Sequence, residues 1–148
     1  MDYQNFLRLE FYSLPVNVGL ARVAVAAFAA QLNYTVSELD DIKGAVSEAV
    51  SNAIIHGYEG APDRLVKVVA VIRDDELEVV VEDGGKGIEN VAEVLRPGYS
   101  TAGERLGLGF SFIASFMDSA DVQSAPGRGT RVIMTKRAGP RGKHADAN

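Results

Sequence analysis

The chain has 148 residues, 47% of them hydrophobic and 24% charged, which suits one globular domain with a single sizeable core. Its formal net charge of −5, with no basic stripe before the C-terminal end, argues against direct contact with nucleic acid. The lack of cysteine excludes disulfides, thiolate metal sites and cysteine nucleophiles, and two histidines, His56 and His144, argue against a multi-histidine metal site.

The opening Met1-Asp2-Tyr3-Gln4-Asn5 has neither a basic nor an apolar leader pattern, and the longest uncharged run, residues 23–37, is too short and too polar to span a bilayer. The expected setting is cytoplasmic, away from membranes. Asn5 to Tyr12 alternates apolar residues with Arg8 and Glu10 and predicts a first strand. Ser13-Leu14-Pro15 predicts a helix start with Ser13 as cap, leading into an alanine-rich helix to about Leu32. Arg22 is the only charge in that helix and reads, on local grounds, as its solvent edge. Thr35-Val36-Ser37-Glu38 is a capping box, so a second helix is expected from there to His56, with Gly57 as a left-handed stop. His56 then reads as a C-terminal histidine favoured by the helix dipole.

Residues 64–73 and 76–82 predict an antiparallel pair turning at Asp74-Asp75, the second strand running into Asp83-Gly84-Gly85-Lys86-Gly87-Ile88. A long segment without regular pattern follows, through Pro97 to Arg105, of a length usual for binding segments. Leu106-Gly107-Leu108-Gly109 opens a third helix, and strands are expected at 120–124 and 130–136 around the turn Pro126-Gly127-Arg128-Gly129. Residues 1–137 form the expected domain, and 138–148 a disordered tail. The order β-α-α-β-β-loop-α-β-β predicts an α+β fold, a two-layer sandwich whose mixed, mostly antiparallel sheet is covered on one face by three helices.

In the second helix Leu39, Ile42, Val46, Ala49, Val50 and Ala53 form one apolar stripe, and Glu48 and Asn52 stand four apart, well off it. Taken alone this pair is most simply a solvated face. The other reading is a proton acceptor beside an oxygen ligand for a hard cation. Asp83-x-Gly85-x-Gly87 is either a strand-ending turn or a carboxylate that accepts a hydrogen bond from an exocyclic amine such as adenine's. Gly107-x-Gly109 lies where unpaired backbone N–H groups could hold phosphate. Thr130 is either a β-branched strand residue or a hydroxyl at a purine edge.

The order and spacing of these elements resemble the N, G1, lid, G2 and G3 boxes of the ATPase superfamily shared by gyrase, the Hsp90 chaperone, histidine kinases and mismatch-repair ATPases. The phrase Ser47-Glu48-Ala49-Val50-Ser51-Asn52-Ala53-Ile54-Ile55-His56-Gly57-Tyr58 is similar to one branch, the anti-sigma factor serine kinases of spore-forming bacteria, and the resemblance covers roughly residues 6–136. It implies the Bergerat ATP-binding fold, ATP or ADP with Mg²⁺, and a protein serine/threonine kinase. It implies Glu48 as general base, Asn52 as Mg²⁺ ligand and Asp83 as adenine reader, with Gly85, Gly87, Gly107 and Gly109 cradling the nucleotide and Thr130 near the base. Ser100 and Thr101 fall in the lid; Arg105 would reach phosphate or a partner, and Arg22 would lie on the partner-binding face.

The implied partners are a sporulation sigma factor (sigma F), which the protein would silence, an anti-anti-sigma factor, which it would phosphorylate on serine, and a second copy in a homodimer. The alternatives are a paralogous kinase serving a stress-response sigma factor, or an ATP-gated binding module without kinase activity. Three departures from the family pattern stand out: Gly84 replaces a larger polar residue and predicts a looser turn, Ser100-Thr101-Ala102 lacks a following lysine, and Gly98 replaces a bulkier residue.

Overall fold

A computed structural model describes residues 2–94 and 109–139. The elements run β1 (Asn5–Tyr12), α1 (Asn17–Ala29), α2 (Val36–Asn52), a π turn (Ala53–Gly57), β2 (Leu65–Arg73), β3 (Glu76–Asp83), α3 (Val91–Val94), α4 (Phe110–Phe116), β4 (Ser119–Ser124) and β5 (Thr130–Arg137). The strands form one five-stranded sheet in the order β1-β2-β3-β5-β4. Every pairing among the described residues is antiparallel, so the sheet is not mixed as expected. The chain from β3 to β4 crosses over one strand position, so β3 and β4 run in the same direction, and β5 returns between them antiparallel to both.

Strand alternation decides which face is covered. Val66, Val68, Ala70 and Ile72 of β2, Leu77, Val79 and Val81 of β3, and Val132 and Met134 of β5 point into the core, while Lys67, Glu76, Glu78 and Glu82 point away from it. On the covered face α2 buries Ile42, Ala45, Val46, Ala49 and Val50, nearly the stripe expected from the sequence. α1 packs against α2 through Ala21, Val25 and Ala29, all fully buried, whose small volumes allow the two helices to approach closely. α4 lies on the other side of α2, where Phe116 rests over Gly44; a methyl there would come within 2.8 Å of the ring. The α+β two-layer expectation therefore holds, with α1, α2 and α4 as the helical layer.

Local details differ from the sequence reading in four places. Thr35 caps α2 as expected, its Oγ1 accepting from the Glu38 N–H at 3.1 Å while Glu38 accepts from the Thr35 N–H at 2.8 Å. Ser13, however, does not cap α1, which begins after Val16 with no side-chain cap. Its buried hydroxyl instead donates to the Ala61 carbonyl and accepts from the Arg64 N–H, tying the end of β1 to the loop before β2. α2 ends at Asn52 in a π turn, and Gly57 does not have positive φ; the left-handed residues are Glu59 and Gly60. Ala138 is buried, and its N–H donates to the Asp75 carbonyl at 2.7 Å, so the folded part includes this residue rather than ending before it. The rest of that expected tail, from residue 140, lies outside the described residues. No helix among the described residues is long and apolar enough to cross a membrane.

Candidate functional site

The C-terminal half of α2, the π turn, the end of β3 and the start of β5 meet around a cavity of about 500 Å³. That is within the usual range for a small-molecule site, about 300–1,000 Å³. Asn52, Asp83, Gly87 and Thr130 of the sequence-derived set line it, and its apolar wall includes Val81, Ile88, Val94, Phe110 and Val132. Asp83, Glu89 and Glu93 also line the cavity, and of the three only Asp83 is buried; a buried carboxylate beside an apolar wall suits a heterocycle bearing an amine.

Asp83 is the only charged side chain among the buried described residues. Burial pushes its carboxyl up from 3.8 to about 6, the neighbouring Glu82 adds to this, and hydrogen bonds from the Gly85 and Thr130 backbone partly oppose it. The Gly85 N–H donates to Asp83 Oδ1 at 2.8 Å. Glycines let the backbone close around this carboxylate. A methyl on Gly57 would lie 2.8 Å from Asp83 Oδ1, and one on Gly85 would lie 2.1 Å from the Gly57 carbonyl oxygen. Gly87 and Gly129 both have positive φ and abut backbone: their methyls would meet the Ala125 and Asp83 carbonyl oxygens at 2.0 and 2.1 Å.

The Asp83–Gly87 turn is not loosened by Gly84. Its N–H donates to the Tyr58 hydroxyl at 2.6 Å, and a methyl added there would touch only that hydroxyl, at 3.6 Å. Gly84→Ala is expected to change stability by less than about 1 kcal/mol. Gly85→Ala, which drives a methyl into fixed backbone, should cost about 2–3 kcal/mol. Parallel urea melts of the two variants check this pair, and equal midpoints would contradict the packing described.

Glu48 lies one helical turn before Asn52 on α2, and its carboxylate rests against Gly109; a methyl on that glycine would fall 2.3 Å from Glu48 Oε2. Gly109, with φ of 64°, precedes the first residue of α4. Burial raises the Glu48 carboxyl above its ordinary value, which makes it a stronger proton acceptor. Glu48 and Asn52 are thus half-buried, not on a freely solvated face: Asn52 lines the cavity, whereas Glu48 sits one turn away against Gly109 and is not among the lining residues. Thr130 does not offer its hydroxyl freely: Oγ1 lies 2.8 Å from Ser124 Oγ, which also accepts from the Ile88 N–H. Arg22 is half-buried, and its guanidinium donates to Ser47 Oγ at 3.1 Å, so its reading as a plain solvent edge does not hold. Ser100, Thr101, Arg105 and Gly107, with the rest of the lid expectation, lie outside the described residues; within the segment expected to lack regular structure, α3 forms a single turn.

Sequence reasoning missed three contributors. His56 lines the cavity instead of merely ending a helix, and Lys86 joins it at the mouth. Tyr58 anchors the Asp83–Gly87 turn, and only its place directly after Gly57 in the helix phrase hinted at it. Asn52 is suited to Mg²⁺ by its donor set: one carboxamide oxygen, with no cluster of three or more acidic or histidine ligands among the described residues. Mg²⁺ bound to a nucleotide takes most of its ligands from phosphate and water, so one protein oxygen suffices.

The histidine kinase-like ATPase domain family matches residues 11–136 of the chain. The anti-sigma F factor of Clostridium perfringens (strain SM101 / Type A) is 50% identical over 135 residues, covering 90% of this chain and 96% of that one. The anti-sigma F factor of Clostridium botulinum (strain Alaska E43 / Type E3) is 47% identical over 137 residues, 91% and 96% of the two chains. Among solved structures, the RsbU and RsbW domains of Rv1364c from Mycobacterium tuberculosis superpose with a TM-score of 0.64 at 20% identity, covering 90% of this chain and 32% of that one. The catalytic domain of the histidine kinase ThkA gives 0.56 at 15% identity, covering 90% and 96%. At such identities the two structures speak for the fold alone.

Proposed function

Because the chain belongs to the histidine kinase-like ATPase family, within its anti-sigma F factor branch, we propose that it is an ATP-dependent protein serine kinase that also binds and silences a sigma factor. The sigma factor is sigma F, and the substrate is the serine of an anti-anti-sigma factor. The protein works in the cytoplasm as a homodimer, with Arg22 on the partner-facing side and Arg105 directed at phosphate or partner.

The observation that carries the kinase reading is the pairing of a base-reading pocket with a desolvated carboxylate at one end of the same helix. Asp83 would accept the adenine amine, with the apolar wall of Ile88, Phe110 and Val132 against the ring. Gly85 and Gly87 bring the backbone close to the nucleotide, Gly107 and Gly109 cradle its phosphates, and Thr130 borders the base, while Ser100 and Thr101 belong to the lid. Asn52 would hold Mg²⁺, which neutralises charge on the phosphates when bound. Glu48 would take the proton from the substrate serine as its oxygen forms a bond to the γ-phosphorus, and the bond to the bridging oxygen breaks to release ADP. A site used for binding alone has no need of a half-buried carboxylate kept as a proton acceptor.

Incubating the purified chain with ATP, Mg²⁺ and the anti-anti-sigma protein should add one phosphate to a serine of that protein, read by intact mass and fragment spectra. An unmodified partner under conditions where ATP binds would overturn the kinase reading and leave a nucleotide-gated binding module.

A further inference from the structure

The end of α2 and the turn that carries Asp83 are joined by more contacts than a helix stop requires. The π turn inserts one residue over an α-helical turn, which swings Gly57 and Tyr58 against the end of β3. The Gly57 carbonyl accepts from the Lys86 N–H at 2.9 Å. The Tyr58 hydroxyl accepts from the Gly84 N–H at 2.6 Å and donates to the Leu65 carbonyl at 2.6 Å, so one oxygen bridges the end of β3 and the start of β2. Its ring packs at the margin of the core, which fixes the position of that oxygen. Gly84 and Gly85 flank Asp83 on its C-terminal side, and the Gly85 N–H is itself held by Asp83 Oδ1. Rotation of the Gly84 peptide would therefore also turn the Asp83 carboxylate.

We propose that Tyr58 is the positioning residue for base recognition: through the Gly84 N–H it sets the angle at which Asp83 meets the amine of an adenine nucleotide. This rests on the reading of Asp83 as the base-reading group. Tyr58 itself touches no reacting atom. Its effect is thus on which base is chosen, not on how firmly sugar and phosphates are held.

Tyr58→Phe keeps the ring and removes the bridging oxygen. Calorimetric titration of the full chain with MgADP and with MgIDP separates the two roles, because hypoxanthine lacks the exocyclic amine. The native protein is expected to prefer ADP, and the variant to lose about tenfold of that preference, the worth of one hydrogen bond, with IDP affinity unchanged within about twofold. Equal weakening of both nucleotides would show a merely structural role, and an unchanged ADP-to-IDP ratio would overturn the proposal. A native protein with no preference for ADP would instead overturn the reading of Asp83, and the proposal with it. Amide exchange in the native chain gives a test that does not depend on the variant folding: the Gly84 N–H should be protected, and exchange at the rate of a free amide would refute the bridge.

Discussion

Glu48→Gln is expected to remove phosphoryl transfer while leaving nucleotide binding in place. The substitution preserves length and shape against Gly109, where the carboxylate is in close contact, so α4 has no reason to move. What it removes is proton-accepting capacity, because a carboxamide does not take a proton near neutral pH. A positioned general base contributes about 10²–10⁴-fold to such a reaction, and that is the expected fall in serine phosphorylation. Affinity for ADP should stay within about threefold, since Glu48 is not among the residues that line the cavity. Transfer measured by radiolabel from ATP, beside calorimetric ADP binding, gives both numbers. Equal transfer by the two forms would sink the assignment of the base, whereas lost binding would mean that Glu48 holds the nucleotide.

Asp83→Asn should have a comparable effect on the other half of the site, with a pH signature. An amide in this place offers one acceptor and turns a donor toward a donor, so ADP affinity is expected to drop by at least about 10²-fold, the upper range for hydrogen bonds to charged groups. On the proposed reading of Asp83 binding needs the ionised carboxylate, so ADP affinity should weaken as pH falls through about 6. Stability should move the opposite way. The folded-state value is raised above the ordinary 3.8, so the folded chain binds the proton more tightly than the unfolded one. The stabilisation is full below 3.8 and is lost as pH rises through about 6. The difference corresponds to about 3 kcal/mol at most. Urea unfolding of the nucleotide-free protein at pH 4.5 and pH 7, with the Asn variant as the non-titrating reference, reads this directly. A native-minus-variant difference that is flat or rises with pH would contradict the burial cost assigned to Asp83. The residue proposed to read the base is therefore a standing cost to the empty protein at neutral pH.

The legible parts of the chain were those in which neighbours along the sequence are also neighbours in space. The Thr35–Glu38 capping box, the stripe from Ile42 to Ala53 and the Asp74-Asp75 turn depend on residues within one or two helical turns, and all appear where expected. The exceptions have long-range causes. Ser13 looked like a cap because serine often is one, but its hydroxyl is used by Ala61 and Arg64, about fifty residues on. Gly57 looked like a left-handed stop, yet its small size answers to Asp83 and Gly85, which approach from β3. Helical periodicity also loses its phase at the π turn, so the direction of His56 and Tyr58 could not be extrapolated from α2. In the site, motif order led to Glu48, Asn52, Asp83 and the glycines without revealing the carboxylate–Gly109 contact or the Tyr58 bridge, which exist only between elements.

The place of β1 has a consequence for how the chain acquires its shape during synthesis. It precedes both helices that separate it from β2, yet among the described residues it pairs with β2 alone, Asn5 facing Ile72 and Tyr12 facing Leu65. Closing that pairing joins points separated by two helices, whereas the β2–β3 hairpin closes across two residues. On the ribosome the opening segment must therefore wait, with Phe6, Leu7, Leu9 and Phe11 unpaired, until residue 73 has emerged. β1 therefore joins the sheet only after β2, the strand that receives it, has been made.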